Sequence, residues 1–85
     1  MHQVKLNNHA EKDLKKLSTI YKQKVARALN LLASNPFLGD KMSGGFLGSY
    51  RIKIPPVRII YQVDHQNKII QVRAIGHRQG IYKKR

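Results

Sequence analysis

The chain has 85 residues, and its 17 lysines and arginines against 4 aspartates and glutamates give a formal net charge of +13. We expect one domain over residues 1–85. The lack of cysteine excludes disulfides, thiolate metal sites and a cysteine nucleophile. The few, scattered acidic residues argue against a metal site formed by carboxylates. The apolar runs are too short to span a membrane, so we expect a soluble, cytoplasmic domain without cofactor, whose charge suits a nucleic acid first and an acidic protein second.

The first part of the chain predicts a short strand followed by two helices. Residues 4–6 can form the strand, and Asn8 with Glu11 three positions later is typical of a capped helix start. Apolar residues then recur at helical spacing in two segments, and Asn35-Pro36 ends the second. The two stripes are Ala10, Leu14 and Leu17, then Tyr21, Val25, Ala28, Leu29 and Leu32. We therefore expect an amphipathic helical hairpin.

Residues 37–49 contain four glycines and predict a flexible loop, since no Lys-Ser/Thr follows to make a phosphate-binding P-loop. The apolar period then changes to two, which predicts strands over residues 50–54, 57–63 and 68–76. In the third strand, alternation places Ile70, Val72 and Ala74 on one face and Ile75 on the other. The predicted fold class is α+β in the order β-α-α-β-β-β, with an antiparallel sheet packed on the N-terminal helical hairpin.

Strand pairing around Pro55-Pro56 predicts a cluster of positive charges. A symmetric turn places Lys53 directly across from Arg58, with Arg51 two residues along on the same face. Because two prolines suit neither primed two-residue turn, we expect a wider loop with the same register. Like charges directly opposite destabilise a sheet, so the cluster is either a solvated face or a site where several cations converge on a phosphate.

Three residues near the C-terminus have both a structural and a functional interpretation. Arg78 lies just past the third strand and can extend the cationic cluster. His77, next to Gly76 at a strand end, is either a surface residue or an acid or base. Tyr82 is either a packing aromatic or a platform on which an RNA base stacks.

These segments together resemble a known family. The order of elements and the runs Tyr50-Arg51-Ile52-Lys53-Ile54, Val57-Arg58-Ile59-Ile60-Tyr61 and Gly76-His77-Arg78, followed by Ile81-Tyr82, are similar to the RelE/ParE superfamily of type II toxin–antitoxin toxins, above all its RelE branch. The resemblance implies the RelE-like fold and a metal-independent endoribonuclease that cuts mRNA in the ribosomal A site and inhibits translation. In this reaction the RNA 2′-hydroxyl attacks, leaving a 2′,3′-cyclic phosphate and a 5′-hydroxyl.

The same resemblance implies a role for each candidate residue. Lys53 would accept the 2′-hydroxyl proton, and Arg51 and Arg58 would bind the scissile phosphate and its transition state. Arg78 would stand near the leaving 5′-oxygen, and Tyr82 would stack on a base and orient the strand for in-line attack.

Two features depart from the family pattern. Many RelE proteins have lysine where Arg51 stands, and many continue into a C-terminal helix after the position of Tyr82. Because some related toxins use a histidine near this position, His77 stays an alternative acid or base.

The expected partners are a cognate antitoxin, acidic or amphipathic to suit the charge, and the ribosome with mRNA in its A site. DNA would be bound only through the antitoxin complex, and no membrane is involved. Two alternatives stay open: a ParE-like toxin that inhibits gyrase on the same scaffold, and a non-catalytic basic domain that binds nucleic acid.

Overall fold

Two helices pack on one face of a five-stranded sheet in the computed structural model, which describes residues 1–42 and 48–77. In chain order the elements are β1 (Gln3–Leu6), α1 (Asn8–Lys15), α2 (Thr19–Ser34), β2 (Asp40–Lys41), β3 (Ser49–Ile54), β4 (Val57–Asp64) and β5 (Ile69–His77). The strands are arranged β1-β5-β4-β3-β2. The predicted α+β class and the order of the major elements are confirmed, and β2 is an additional short strand inside the segment predicted as a loop.

The sheet is mixed, because β1 pairs with β5 in parallel from Gln3 opposite Ile69 to Leu6 opposite Val72. The other pairs, β2 with β3, β3 with β4 and β4 with β5, are antiparallel, as predicted for the three-stranded meander. A sheet antiparallel throughout was expected, and β1 departs from it. Parallel neighbours need a long crossover connection, and the helical hairpin begins that connection.

The hairpin of β3 and β4 has the predicted register. Lys53 lies opposite Arg58, and Tyr50 lies opposite Tyr61. The prediction of a wider loop is wrong, because the turn consists of Pro55 and Pro56 alone, joined by a cis peptide bond. A cis proline at the third position defines the type VI turn, which lies outside the primed turns considered from the sequence.

A β-bulge in β5 changes which of its residues face the helices. Ile60 pairs with Ala74 and the next residue, Tyr61, pairs with Val72, so Arg73 is the extra residue of the bulge. Beyond the bulge the alternation reverses, and Ile75 is buried in the core. The expectation that Ala74 shares a face with Val72 while Ile75 lies opposite is therefore wrong, because a bulge inserts one residue into the period of two.

The first helix starts one residue earlier than predicted. Asn7 is its N-cap, and the Asn7 side-chain oxygen accepts a hydrogen bond from the backbone N–H of Ala10 at 2.8 Å. Asn8 is already helical, so the predicted capping box with Glu11 does not form. The second helix ends at Ser34 with Asn35 as its C-cap, which confirms the end predicted at Asn35-Pro36. Within residues 1–42 and 48–77, no helix is long and apolar enough to cross a membrane.

The core lies between the helices and the inner sheet face, and hydrogen bonds to the Tyr61 side chain attach the loop after α2 to this core. The Tyr61 side chain is fully buried and stacks on Tyr50 with ring centroids 5.4 Å apart. Its hydroxyl donates to the Pro36 carbonyl at 3.0 Å and accepts from the Gly39 N–H at 2.9 Å. Burial raises the pKa of this phenol, with the Gly39 hydrogen bond opposing the rise. These bonds fix the loop after α2 and set β2 beside β3.

Candidate functional site

Three cations share the sheet face that points away from the helices. We call Arg51, Lys53 and Arg58 the basic cluster. Ile52 and Ile59, which flank them along β3 and β4, pack against the core, so by strand alternation the three cations project to the opposite, outer face. Lys53 and Arg58 are directly paired, which places their Cβ atoms about 5 Å apart. Lys53 is exposed, and the two arginines are half-buried.

Arg58 is the central member of the basic cluster. Lys53 lies across from it on β3, and Gly76, which has no side chain, lies across from it on β5. The Arg58 Nε is buried and has no hydrogen-bond acceptor among the residues that the structure describes. A buried donor without an acceptor costs about 1–3 kcal/mol, which makes Arg58 a candidate for binding an anion within the described part of the chain.

One acid lies beside the cluster. Asp40 on β2 is directly across from Arg51, and opposite charges at such positions attract each other. This neighbour was not predicted from the sequence, because residue 40 lies within the segment expected to be a loop. The two arginines therefore differ: Arg51 has a carboxylate on the adjacent strand, whereas the strand neighbours of Arg58 are a lysine and a glycine.

Of the other candidate residues, the structure describes only His77. His77 lies opposite Val57, whose side chain is in the core, so the register places His77 on the helix side of the sheet, where it is exposed. Arg78 and Tyr82 lie outside the described residues. Among residues 1–42 and 48–77, no group of three or more histidine, cysteine, aspartate or glutamate side chains is arranged to hold a metal ion.

A buried carboxylate supports the strand that runs beside Arg58. Asp13 on α1 is almost fully buried, and its Oδ2 accepts a hydrogen bond from the backbone N–H of Ile75 at 3.2 Å. The His9 Nε2 lies 3.5 Å from the same oxygen. The sequence held a signal for this contact, because residue 13 continues the apolar stripe of α1 at i+3 from Ala10.

Comparisons with known proteins agree on one family. Residues 4–82 match the family described as ParE toxin of type II toxin-antitoxin system, parDE. A protein of Escherichia coli described as a RelE-like toxin is 32% identical over 80 residues, covering 92% of this chain and 84% of that protein. One of Methanocaldococcus jannaschii, described as toxin RelE1, is 33% identical over 84 residues, covering 94% and 93%.

The fold is also that of a solved toxin structure. The toxin–antitoxin complex RelBE2 of Mycobacterium tuberculosis contains a chain that superposes with a TM-score of 0.83 at 20% identity, covering 91% of this chain and 98% of that chain. At this identity the likeness concerns the fold, and it includes the two helices and the mixed sheet.

Proposed function

Because the chain belongs to the RelE/ParE superfamily of type II toxin–antitoxin toxins, we propose that it is a RelE-type endoribonuclease that cuts mRNA in the ribosomal A site and thereby inhibits translation. The observation that carries this proposal is the basic cluster, in which Lys53 and Arg58 are paired across two strands. Such a pairing does not stabilise a sheet, whereas it does suit an RNA phosphate.

In the proposed reaction the RNA supplies its own nucleophile. Lys53 accepts the proton of the 2′-hydroxyl as its oxygen attacks the adjacent phosphorus. Arg58 and Arg51 stabilise the additional negative charge on the pentacovalent phosphorus. The bond to the 5′-oxygen breaks, leaving a 2′,3′-cyclic phosphate and a 5′-oxygen that water protonates. Arg78 would stabilise that leaving oxygen, and Tyr82 would stack on a base to align the strand.

Two facts favour Lys53 over His77 as the base. Arginine does not give up its proton in proteins, so Lys53 is the one member of the basic cluster that can exchange one. Lys53 is also exposed on the outer face beside Arg58, whereas the register places His77 beside Val57 on the helix side. A base must lie within hydrogen-bond reach of the proton it takes, and a phosphate held at Arg58 lies nearer to Lys53.

The proposal includes a cognate antitoxin and a cytoplasmic site of action. The structurally similar chain from Mycobacterium tuberculosis is part of a toxin–antitoxin complex, and a net charge of +13 favours fast association with an acidic or amphipathic partner. Any contact with operator DNA would be made through the antitoxin. Ribosomes carrying mRNA would be the target, and the positive charge would also speed that encounter.

A ParE-like toxin that inhibits gyrase is the second candidate. The observation that favours it is the match of residues 4–82 to the ParE toxin family. It would act by contact with a protein and would need no cluster suited to phosphate chemistry.

Induced expression in a bacterial host, followed by mapping of mRNA 5′ ends, tests the proposal. We expect cuts within codons, 2′,3′-cyclic ends, and loss of cleavage by about 100-fold or more in Lys53→Ala and Arg58→Ala, the usual range for removal of a general base or a charge-stabilising group. Lys12→Ala is the matched control, since Lys12 is an exposed lysine of α1. Intact mRNA with damaged chromosomal DNA would favour the gyrase inhibitor, and equal toxicity of all variants would refute the site.

A further inference from the structure

We propose that Arg73 and Gln62 form a subsite, adjacent to the basic cluster, that binds the edge of an RNA base and gives the nuclease a sequence preference. This inference rests on the proposed function. We call Ser49, Gln62, Gln71 and Arg73 the polar row. Ser49 and Gln71 lie on the strands either side of Gln62 and pair directly with it, so these three side chains share the outer face with the basic cluster.

Arg73 reaches this face by the ordinary alternation of β5, since it lies two residues after Gln71. Arg73 is the residue that β5 has in excess of β4 at the step from Ile60 to Tyr61. Bulges are frequent beside active sites. The neighbouring Ala74 pairs with Ile60, two residues from Arg58. The backbone of Arg73 therefore lies only about 7 to 10 Å along the sheet from the basic cluster.

Hydrogen bonds hold the polar row in a defined arrangement. The Arg73 Nη1 donates to the Gln62 Oε1 at 2.9 Å, and the Gln62 Nε2 donates to the Ser49 Oγ at 3.4 Å. Ser49 is almost fully buried, whereas Arg73 is exposed. Arg73 therefore uses one of its five N–H donors to bind Gln62, and its other donors stay available to a ligand in solvent. Gln62, which holds Arg73 in this orientation, is itself held by its hydrogen bond to Ser49.

The chemistry of the polar row suits a base better than a phosphate. A phosphate is bound by cations, as in the basic cluster, and gains nothing from amide carbonyls. Base edges present donors and acceptors together: arginine forms a bidentate pair with guanine, and glutamine with adenine. The polar row offers one guanidinium beside two amides, Gln62 and Gln71. An extended strand whose phosphate is held by Arg58 would bring a neighbouring base over this row.

The test is cleavage of a set of mRNAs that differ only in the A-site codon, on purified ribosomes, by the complete protein. For Arg73→Ala we expect the ratio of the cleavage rates at the best and the worst codon to fall about tenfold, with little change in the cleavage rate at the worst codon. Arg73→Lys keeps the charge but loses the fork geometry, and we expect it to lose the preference as well. Arg27→Ala, an exposed arginine of α2, is the matched control.

Each other outcome overturns the inference in a recognisable way. If Arg73→Ala slows all codons equally while Arg73→Lys is normal, Arg73 contacts a phosphate and no base. If both variants keep the codon ratios of the unaltered protein, the polar row only supports the sheet. If the unaltered protein cuts no codon at all, the proposed function fails, and the subsite fails with it. Thermal unfolding of each variant excludes a folding defect as the cause.

Discussion

Replacing Asp13 by alanine tests how the edge of β5 is held. β1 pairs with β5 only as far as Val72, and the Asn7 N–H then bonds the Val72 carbonyl as the chain turns into α1. Beyond Val72, within the described residues, no strand pairs with this edge of β5. The Asp13 carboxylate on α1 instead accepts a hydrogen bond from the Ile75 backbone N–H.

The cost of the Asp13→Ala substitution follows from this contact. The variant leaves the buried Ile75 N–H without its acceptor, a loss of about 1–3 kcal/mol in the free energy of unfolding. For a domain of this size, each kcal/mol lowers Tm by about 4–8 °C, so a loss in the middle of the range lowers Tm by about 8–16 °C. Asp13→Asn keeps a side-chain oxygen at the same place and should lose less than half as much.

Thermal and denaturant unfolding measure the global effect, and amide hydrogen exchange measures the local one. In Asp13→Ala we expect the Ile75 amide to exchange faster than the amides of Ile59 and Ile70, beyond what the global loss of stability explains. If Asp13→Ala is as stable as the unaltered protein, or if Asp13→Asn and Asp13→Ala are equally destabilised, the hydrogen bond to β5 is not what Asp13 contributes.

The remaining predictions concern Tyr61 and Lys53. The raised pKa of the Tyr61 phenol means that its contribution to stability is complete below the unfolded value near 10 and is lost as the pH rises through the folded value. The free energy of unfolding should therefore fall more steeply above pH 10 in the unaltered protein than in Tyr61→Phe, and parallel curves would contradict this. At neutral pH, Tyr61→Phe should cost about 1–2 kcal/mol, because the Gly39 N–H and the Pro36 carbonyl lose their partner. Lys53→Ala removes one of two like charges paired across strands, so its stability should be unchanged or higher by a few tenths of a kcal/mol while activity is lost. A stability loss above about 1 kcal/mol would show that Lys53 has a structural role.

The helices, the meander and the register of the basic cluster were all predictable from the sequence. The apolar period alone identified Val25, Ala28 and Leu32 as the buried stripe of α2, because burial of one helical face dictates that spacing. The pairing of Lys53 with Arg58 followed from the position of two prolines between alternating runs. Local patterns of this kind are enough wherever neighbours in sequence are also neighbours in space.

The turn at Pro55-Pro56 and the start of α1 at Asn7 were local errors, whereas the other errors arise from pairing between strands. The bulge at Arg73 exists only relative to β4, and β2 is too short to show a period, so Asp40 was not expected beside Arg51. The direction of β1 is fixed by contact with β5. The polar row was missed for the same reason, since Gln62 and Arg73 meet only once the sheet has formed.

The parallel pairing of β1 with β5 also limits how early during translation this toxin can fold. Gln3 is paired with Ile69, a separation of 69 − 3 = 66 residues, and contacts this distant in sequence form late and slowly. While the chain is being translated, β1 has no strand to join until β5 has been made, and Gly76 cannot yet take its place beside Arg58. The outer face that carries the basic cluster is therefore assembled only after β5 (Ile69–His77) has been made, so the growing chain does not have the shape proposed to attack ribosomes before that point.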